Sequence, residues 1–167
     1  MLVDLDSEAV TTWQWLGKKL GPRGLAWLIG RYPPLLGAGI RVVRCDAEWR
    51  NLEVRLGFTW WNRNYVGTQF GGSLYVMCDP FYMLMLMQNL GPGYTVWDKS
   101  ASIEFLRPGR GPVTARFELT SERLAAIRED VEQRGKAHPT FNVEVVDASG
   151  TVVARVEKLL SVRRKQP

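Results

Sequence analysis

The chain has 167 residues, the usual length of one domain with one core, and a composition of 46% hydrophobic and 23% charged residues that argues against extensive disorder. The formal net charge is +5, and the tail Arg163-Arg164-Lys165 supplies three of those charges. Because no basic stripe with interleaved aromatic residues runs along the chain, we expect no nucleic-acid partner. A mildly positive surface instead suits a phosphorylated small molecule.

The cysteines and the apolar stretches exclude further classes. Neither Cys45 nor Cys78 belongs to a CxxC pair or has a histidine at ligand spacing, so we expect no metal site. The sequence MLVDLDSE at the start is acidic and has no charged-then-apolar leader, which favours a cytoplasmic location. Residues 80–97 are uncharged, but their glycines, prolines, Gln88 and Asn89 make a poor membrane span.

The first part of the chain predicts helices. Apolar residues recur near helical spacing over residues 7–30, Gly21-Pro22 is a break, and Pro33-Pro34 closes the region. A helix packed on the domain or on a partner subunit is favoured over a membrane-surface or lid helix, because lysines are sparse. We therefore predict an N-terminal helical extension over residues 1–36, followed by the main domain over 37–167.

Alternating and helical patterns divide the rest of the chain. Alternation predicts strands over 50–58, 97–106, 113–119, 140–147 and 152–162, with a hairpin turn at Ser149-Gly150 joining the last two. Residues 60–69 are predicted as a loop. The segment 121–134 predicts a surface helix, capped by Thr120 or Ser121 and ended by Gly135.

A second helix is predicted over residues 71–90, and it is apolar nearly all round. Such a helix has to be enclosed. The fold class is therefore α+β, with an antiparallel sheet curled around one central helix. The methionines between Met83 and Met87 fill the core in the favoured interpretation, and line an apolar tunnel for a ligand in the other.

The start of this helix and its aspartate carry the chemical signal. A glycine pair, Gly71-Gly72, lets backbone N–H groups approach a ligand, although tight packing against a sheet explains it equally well. Asp79 lies inside the apolar helix and directly before Pro80, where the helix has to kink or restart. Asp79 is either a functional carboxylate or a plain N-cap of a second helix starting at Pro80.

The loop and helix start resemble a known signature. The residues are Asn64-x-x-Gly67-Thr68-x-Phe70-Gly71-Gly72, followed seven positions later by Asp79. This pattern resembles that of hotdog-fold acyl-CoA thioesterases, in which the usual form is Asn-x-x-Gly-x-x-His-Gly-Gly followed by an acidic residue. The clade containing phenylacetate-pathway enzymes is the most similar, and the whole chain resembles a branch of tetrameric acyl-CoA thioesterases. The similarity covers about residues 39–162.

The resemblance implies a hotdog fold and a hydrolytic role for each signature residue. The N–H of Gly71, helped by Asn64, polarises the thioester carbonyl, and Asp79 acts as general base or nucleophile. Gly67, Phe70 and Gly72 contact the substrate. Phe70 replaces the usual histidine, which removes one polar contact and leaves the reaction rate in question.

Spacing along the helix predicts a partner subunit. Gly71 and Asp79 are separated by roughly 12 Å along a helix that rises about 1.5 Å per residue. One thioester cannot readily touch both, so we expect Gly71 of one subunit to meet Asp79 of another. The expected assembly is a homodimer, or a tetramer made of two dimers.

Charged residues elsewhere are candidates for the remaining contacts. Arg107, Arg110 and Lys99 could bind the phosphates of coenzyme A, which enters as part of the substrate; no other cofactor is expected. Asp98 could orient the water or pair with Lys99. Lys158 lies on the apolar face of the last strand and is interpreted as a snorkelling lysine.

Two other functions compete with hydrolysis on the same fold. The replacement of histidine by Phe70 favours a non-catalytic acyl-CoA binding protein or sensor. A hydratase would need an Asp–His pair near the helix start, whereas the single histidine, His138, lies far along the chain. Acyl-CoA hydrolysis in lipid metabolism is the favoured interpretation.

Overall fold

The computed structural model describes residue 21 and residues 24–165 of the chain. Residues 24–29 are helical, as predicted, whereas the earlier part of the predicted extension and Pro22 lie outside the described residues. The prolines Pro33-Pro34 do not close the helical region. They occupy the first positions of a short helix, α1 (Pro33–Ala38), where a missing N–H is tolerated and the fixed φ angle fits the helix. The division between residues 36 and 37 stays a prediction.

The sheet is antiparallel throughout, and its strand order is β1-β2-β4-β6-β7-β3, with β5 paired to β7. The strands are β1 (Ile40–Cys45), β2 (Asn51–Leu56), β3 (Tyr94–Phe105), β4 (Val113–Glu118), β5 (Lys136–Ala137), β6 (Thr140–Asp147) and β7 (Val152–Arg164). All five predicted strands are present. The strands β1 and β5 were not among them, because arginines interrupt the apolar pattern of β1 and β5 has only two residues.

Alternation along the strands separates a buried face from an exposed one. In β2, Leu52, Val54 and Leu56 are buried while Arg55 points outward. The same period of two holds in β7, where the inward positions include Val156 and Leu160. This periodicity gives the sheet one apolar face, which has to be covered.

Two consecutive helices cover that face, α2 (Gly71–Val76) and α3 (Phe81–Leu90). Residues 77–80 between them are not helical, so the predicted single helix is interrupted, although its end at Leu90 is confirmed. Met85 and Leu86 are fully buried, and Tyr82 stacks on Phe141 with ring centroids 4.2 Å apart. The curved antiparallel sheet wrapped around a central helical segment is the hotdog fold that the sequence predicts. The methionine run belongs to this core.

The helix α4 (Ser121–Arg134) lies at the surface. The Thr120 side chain accepts a hydrogen bond from the Arg123 N–H at 3.1 Å, and Gly135 ends the helix with φ of 74°. Both ends were predicted, because capping depends on the identity of one or two neighbouring residues. Across the described residues, no helix combines the length and the apolar character needed to cross a bilayer.

Candidate active site

Asp79 lies in the interruption between α2 and α3. The residue at the N-cap position of α3 is Pro80, and no side chain caps that helix. Asp79 therefore does not act as the N-cap, which was one of its two predicted roles. The break predicted at Pro80 is present, and it leaves the Asp79 carboxylate free to point away from the helix axis.

Two donors bind the same oxygen of that carboxylate. The Nζ of Lys158 donates to Oδ1 of Asp79 at 2.7 Å, and the hydroxyl of Tyr75 donates to Oδ1 at 3.0 Å. The Lys158 side chain is fully buried, whereas 43% of the Asp79 side chain is exposed. The interpretation of Lys158 as a snorkelling lysine is wrong, because its ammonium is held inside the protein by charge pairing.

Asp98 pairs with the other side of the same ammonium. Its Oδ1 lies 3.1 Å from Nζ of Lys158, and 28% of its side chain is exposed. Lys158 is therefore the ion-pair partner of Asp98, where sequence reasoning considered Lys99. The resulting cluster, which we call the carboxylate cluster, consists of Asp79, Asp98, Lys158 and Tyr75.

A β-bulge in β3 makes this pairing possible. Asp98 is opposite Leu160 and Ser100 is opposite Leu159, so Lys99 is an extra residue in the ladder. The extra residue shifts the alternation, and both Asp98 and Phe105 face the helices. Without the bulge, Asp98 and Phe105, which are seven positions apart in the chain, would point to opposite faces of the sheet.

Burial and charge act in opposite directions on the ionisation of the cluster. Burial lowers the pKa of Lys158, but its hydrogen bond to Asp79 and its ion pair with Asp98 outweigh burial, and the pKa is raised above 10.5. Burial also raises the pKa of Asp98, against the opposing effect of Lys158. For Tyr75, burial and the hydrogen bond to Asp79 raise the pKa of the hydroxyl. Lys158 is thus a cation and Tyr75 a neutral donor at neutral pH.

The glycine pair starts α2 and is in close contact with aromatic rings. A Cβ on Gly72 would clash with the ring of Phe70, and one on Gly71 would lie 3.0 Å from the ring of Phe105. A larger residue at either position would therefore require the facing ring to move. The predicted use of the Gly71 N–H toward a substrate stays a prediction.

Asn64 shapes the loop that leads into α2. Its side-chain oxygen accepts hydrogen bonds from the N–H groups of Val66 and Thr68, and its Nδ2 donates to the Thr68 hydroxyl at 2.8 Å. Gly67 lies in this loop with φ of 78°, which other residues rarely adopt. These contacts give Asn64 a structural role in the loop, and its predicted contact with the thioester stays a prediction.

An open cavity of about 360 Å³ lies beside the start of α2. Its wall includes Trp61, Phe70, Gly72, Ser73 and Val76. Phe70 lines this cavity and is 55% exposed. Tyr75, whose hydroxyl contacts Asp79, is not among the lining residues.

The structure thus brings the predicted residues together in two groups. Asp79 and Asp98 belong to the carboxylate cluster, while Gly71, Gly72 and Phe70 lie at the start of α2. The cations proposed for coenzyme A, Lys99, Arg107 and Arg110, are all exposed on the surface, and their role stays a prediction.

Sequence reasoning missed Tyr75 and the pairing role of Lys158. Tyr75 precedes Asp79 by four residues, the spacing at which helical side chains are neighbours. A lysine on an apolar strand face and an aspartate in an apolar helix are also complementary, since buried charges require partners. Together these two signals could have predicted the ion pair.

The fold and these residues define a hotdog-fold protein with an aspartate at the break of its central helix. The family model that matches residues 21–162 describes a domain of unknown function (DUF4442), and the chain belongs to this family. No curated protein matches the chain.

Solved structures share the fold at low sequence identity. A Pseudomonas aeruginosa protein described as "Probable Thioesterase" is 21% identical, with a TM-score of 0.76 over 86% of this chain and 97% of its own. A Chlorobaculum tepidum protein of unknown function is 16% identical, with a TM-score of 0.70 over 89% of this chain and 100% of its own. A Haemophilus influenzae thioesterase is 18% identical, with a TM-score of 0.63 over 86% and 90%. These similarities establish the hotdog fold.

Proposed function

We propose that this protein is an acyl-CoA thioesterase, which hydrolyses a thioester to a free acid and coenzyme A. The observation that carries the proposal is the Asp79 carboxylate. It is half exposed, it lies at the break of the central helix, and two donors fix one of its oxygens. The thioesterase descriptions of similarly folded proteins agree with this function.

The proposed reaction needs one base and one donor. Water attacks the thioester carbonyl carbon, and Asp79 accepts the proton that the water loses. The N–H of Gly71 stabilises the negative oxygen of the tetrahedral intermediate. The carbon–sulfur bond then breaks, and the thiolate of coenzyme A takes up the proton to leave as a thiol. Direct attack by Asp79, which gives an anhydride that water then hydrolyses, is the alternative route.

One observation supports a site shared between subunits. The interruption after Val76 means that the predicted 12 Å separation no longer follows one straight helix. However, Asp79 of the same chain is not among the residues that line the cavity at Gly72. A second copy that contributes its own Asp79 would complete the site.

The edge strand β3 offers a way to bring the two copies together. Within the described residues it is the last strand of the sheet, and Trp97 and Phe105 on it are exposed. The partners of Asp98 and Phe105 in β7 lie three positions on either side of the partner of Ser102. Antiparallel pairing of two β3 strands centred on Ser102 would therefore set Phe105, beside Gly71, opposite Asp98 of the second copy.

Further contacts of the substrate follow from the same proposal. The apolar cavity beside Phe70 would accept the acyl group or the adjoining part of coenzyme A. Exposed Arg107, Arg110 and Lys99 would bind its phosphates. A tetramer of two such dimers, acting in the cytoplasm in lipid metabolism, completes the proposal.

The test is thiol release from a panel of aliphatic and aromatic acyl-CoAs, followed with a thiol reagent. We expect hydrolysis by the full chain and a loss of kcat of roughly 10²–10⁴ in Asp79→Asn, the usual contribution of a general base. Asp130→Asn, on the exposed surface of α4, is the matched control and keeps full activity. No release above background, or full activity in Asp79→Asn, would sink the proposal.

A non-catalytic acyl-CoA binding protein is the second candidate. Phe70 favours it, because an exposed phenyl ring at this position binds an acyl group without helping the chemistry. Calorimetry with the same acyl-CoAs separates the two functions. Tight binding with no turnover supports the binding protein, whereas turnover supports the thioesterase.

A further inference from the structure

Lys158 is the only charged side chain that is fully buried among the described residues, and it lies between two carboxylates. Its Nζ is 2.7 Å from Asp79 and 3.1 Å from Asp98. An ammonium at such a place is retained only when its charge is paired. The fold therefore keeps a cation directly against the aspartate on which the proposed reaction depends.

The position of this cation is fixed by the sheet. Lys158 is opposite Phe141 of β6 on one side and Ala101 of β3 on the other, so its backbone is held from both directions. Its neighbours on the same face, Val156 and Leu160, are fully buried. The sheet thus fixes the backbone that carries the ammonium, which can serve as a support for the half-exposed carboxylate.

The contacts of Asp79 distinguish its two oxygens. Lys158 and Tyr75 both donate to Oδ1, whereas no donor contacts Oδ2 within the part of the chain that the structure describes. A carboxylate held through one oxygen presents the other in a fixed direction.

We propose that Lys158 is a positioning residue, which together with Tyr75 holds Oδ1 of Asp79 and directs its Oδ2 toward the substrate. Asp98 serves as the second counter-charge, which allows Lys158 to remain a cation inside the protein. This inference rests on the proposed thioesterase function. It adds that Oδ2 is the oxygen that accepts the proton from water, or that attacks the thioester.

The other titratable groups facing Asp79 support this assignment. Tyr75 is contributed by α2, Asp98 by β3 and Lys158 by β7. Cys78 precedes Asp79, and burial raises the pKa of its thiol to about 12, so it is uncharged. Lys158 is therefore the one cation among these groups, and it is the charge that holds Asp79 in place.

A single substitution of Lys158 would leave Asp98 without its counter-charge and would destabilise the protein, which would obscure an effect on activity. The test therefore compares Lys158→Met/Asp98→Asn with Asp98→Asn alone, since both variants lack the Asp98 charge and differ only at Lys158. The readouts are kcat and KM for acyl-CoA hydrolysis, and the urea midpoint as a measure of folding. Tyr75→Phe is the milder variant, because it removes one of the two donors and keeps the cation.

We expect kcat to be roughly tenfold to a hundredfold lower in the double variant than in Asp98→Asn, the loss typical of a misplaced catalytic group. KM should change little, because the loss is one of orientation and not of substrate binding. Tyr75→Phe should lower kcat by a smaller factor, again with KM nearly unchanged. A purely structural Lys158 would lower the urea midpoint and leave kcat of the folded double variant at the value of Asp98→Asn.

This inference alone is overturned when the folded double variant and Asp98→Asn have the same kcat, while Asp79→Asn is inactive. A wild-type protein without hydrolytic activity, or an active Asp79→Asn, overturns the proposed function and this inference with it.

Discussion

Lys158 and Asp79 are 79 residues apart in the chain, and their Nζ and Oδ1 atoms are 2.7 Å apart in the fold. The contact joins the last strand of the sheet to the break in the central helix. Lys158 is fully buried, whereas Asp79 is partly exposed to water. The charge of the lysine therefore needs the carboxylates as partners more than the carboxylates need the lysine. Stability and the proposed chemistry are thereby linked through one ion pair.

This linkage predicts a loss of stability at alkaline pH. The pKa of Lys158 is raised above 10.5 in the folded protein, so the folded state binds more protons than the unfolded state once the pH exceeds that value. The contribution of Lys158 is complete below pH 10.5, and it is lost as the pH rises through the folded pKa. Urea unfolding across this range should show a falling free energy of unfolding.

The variant Lys158→Met tests how much of the fall in the free energy of unfolding at alkaline pH comes from the lysine. At neutral pH the substitution should cost on the order of 3 kcal/mol, because it leaves Asp98 without its partner. The difference between wild type and variant should shrink as the pH rises above 10.5, since both then lack the cation. The raised pKa values of Tyr75 and Cys78 act in the same direction and remain in the variant. An undiminished difference at alkaline pH would contradict the assignment.

Much of the fold could be predicted from local sequence. The helix α4 is capped by Thr120 and ended by Gly135, as predicted, because each end depends on one side chain or one φ angle. Strand β2 follows from simple alternation. The helix α1 was missed because two prolines were interpreted as an end, although prolines equally well begin a helix.

The carboxylate cluster needed information that is not local. Asp79 was identified from the sequence, yet its partners Lys158 and Asp98 depend on strand register across the sheet. That register includes the bulge at Lys99, which nothing in the local pattern marks. The distinction between an N-cap and a charge-paired carboxylate likewise required the position of β7 relative to the helix break.

The loop before α2 offers a test of backbone strain. Gly67 has φ of 78°, and no atom lies within 4 Å of the point that a Cβ would occupy, so Gly67→Ala should be destabilising through the backbone alone, by about 1 kcal/mol. Gly37 also has open space around it but lies in α1 without a positive φ, and Gly37→Ala should stabilise the protein by about 0.5 kcal/mol. Thermal or urea unfolding compares the two. Equal effects of the same sign would show that the loop does not require a left-handed residue.

The proposed pairing of β3 strands can be tested at its centre. Ser102→Lys would place two ammonium groups directly opposite each other in a dimer centred on this residue, and like charges in that arrangement oppose pairing. Asn142→Lys is the matched control, because Ser102 and Asn142 flank the same residue of β7, Glu157, on its two sides. Both variants therefore add one lysine beside the same glutamate, and only the first adds it to the edge strand.

Sedimentation velocity on the full chain measures the dimer dissociation constant of each variant. The dimer dissociation constant should rise about tenfold in Ser102→Lys, equivalent to about 1.4 kcal/mol, and it should be unchanged in Asn142→Lys. If the site is shared between subunits, the hydrolytic activity of Ser102→Lys should also fall on dilution, in parallel with the fraction of dimer. Activity that persists in the monomer would mean that Gly71 and Asp79 of one chain suffice, whereas an unaffected dimer would move the subunit contact away from β3. Because these two results are measured separately, the position of the interface and the sharing of the site can be decided independently.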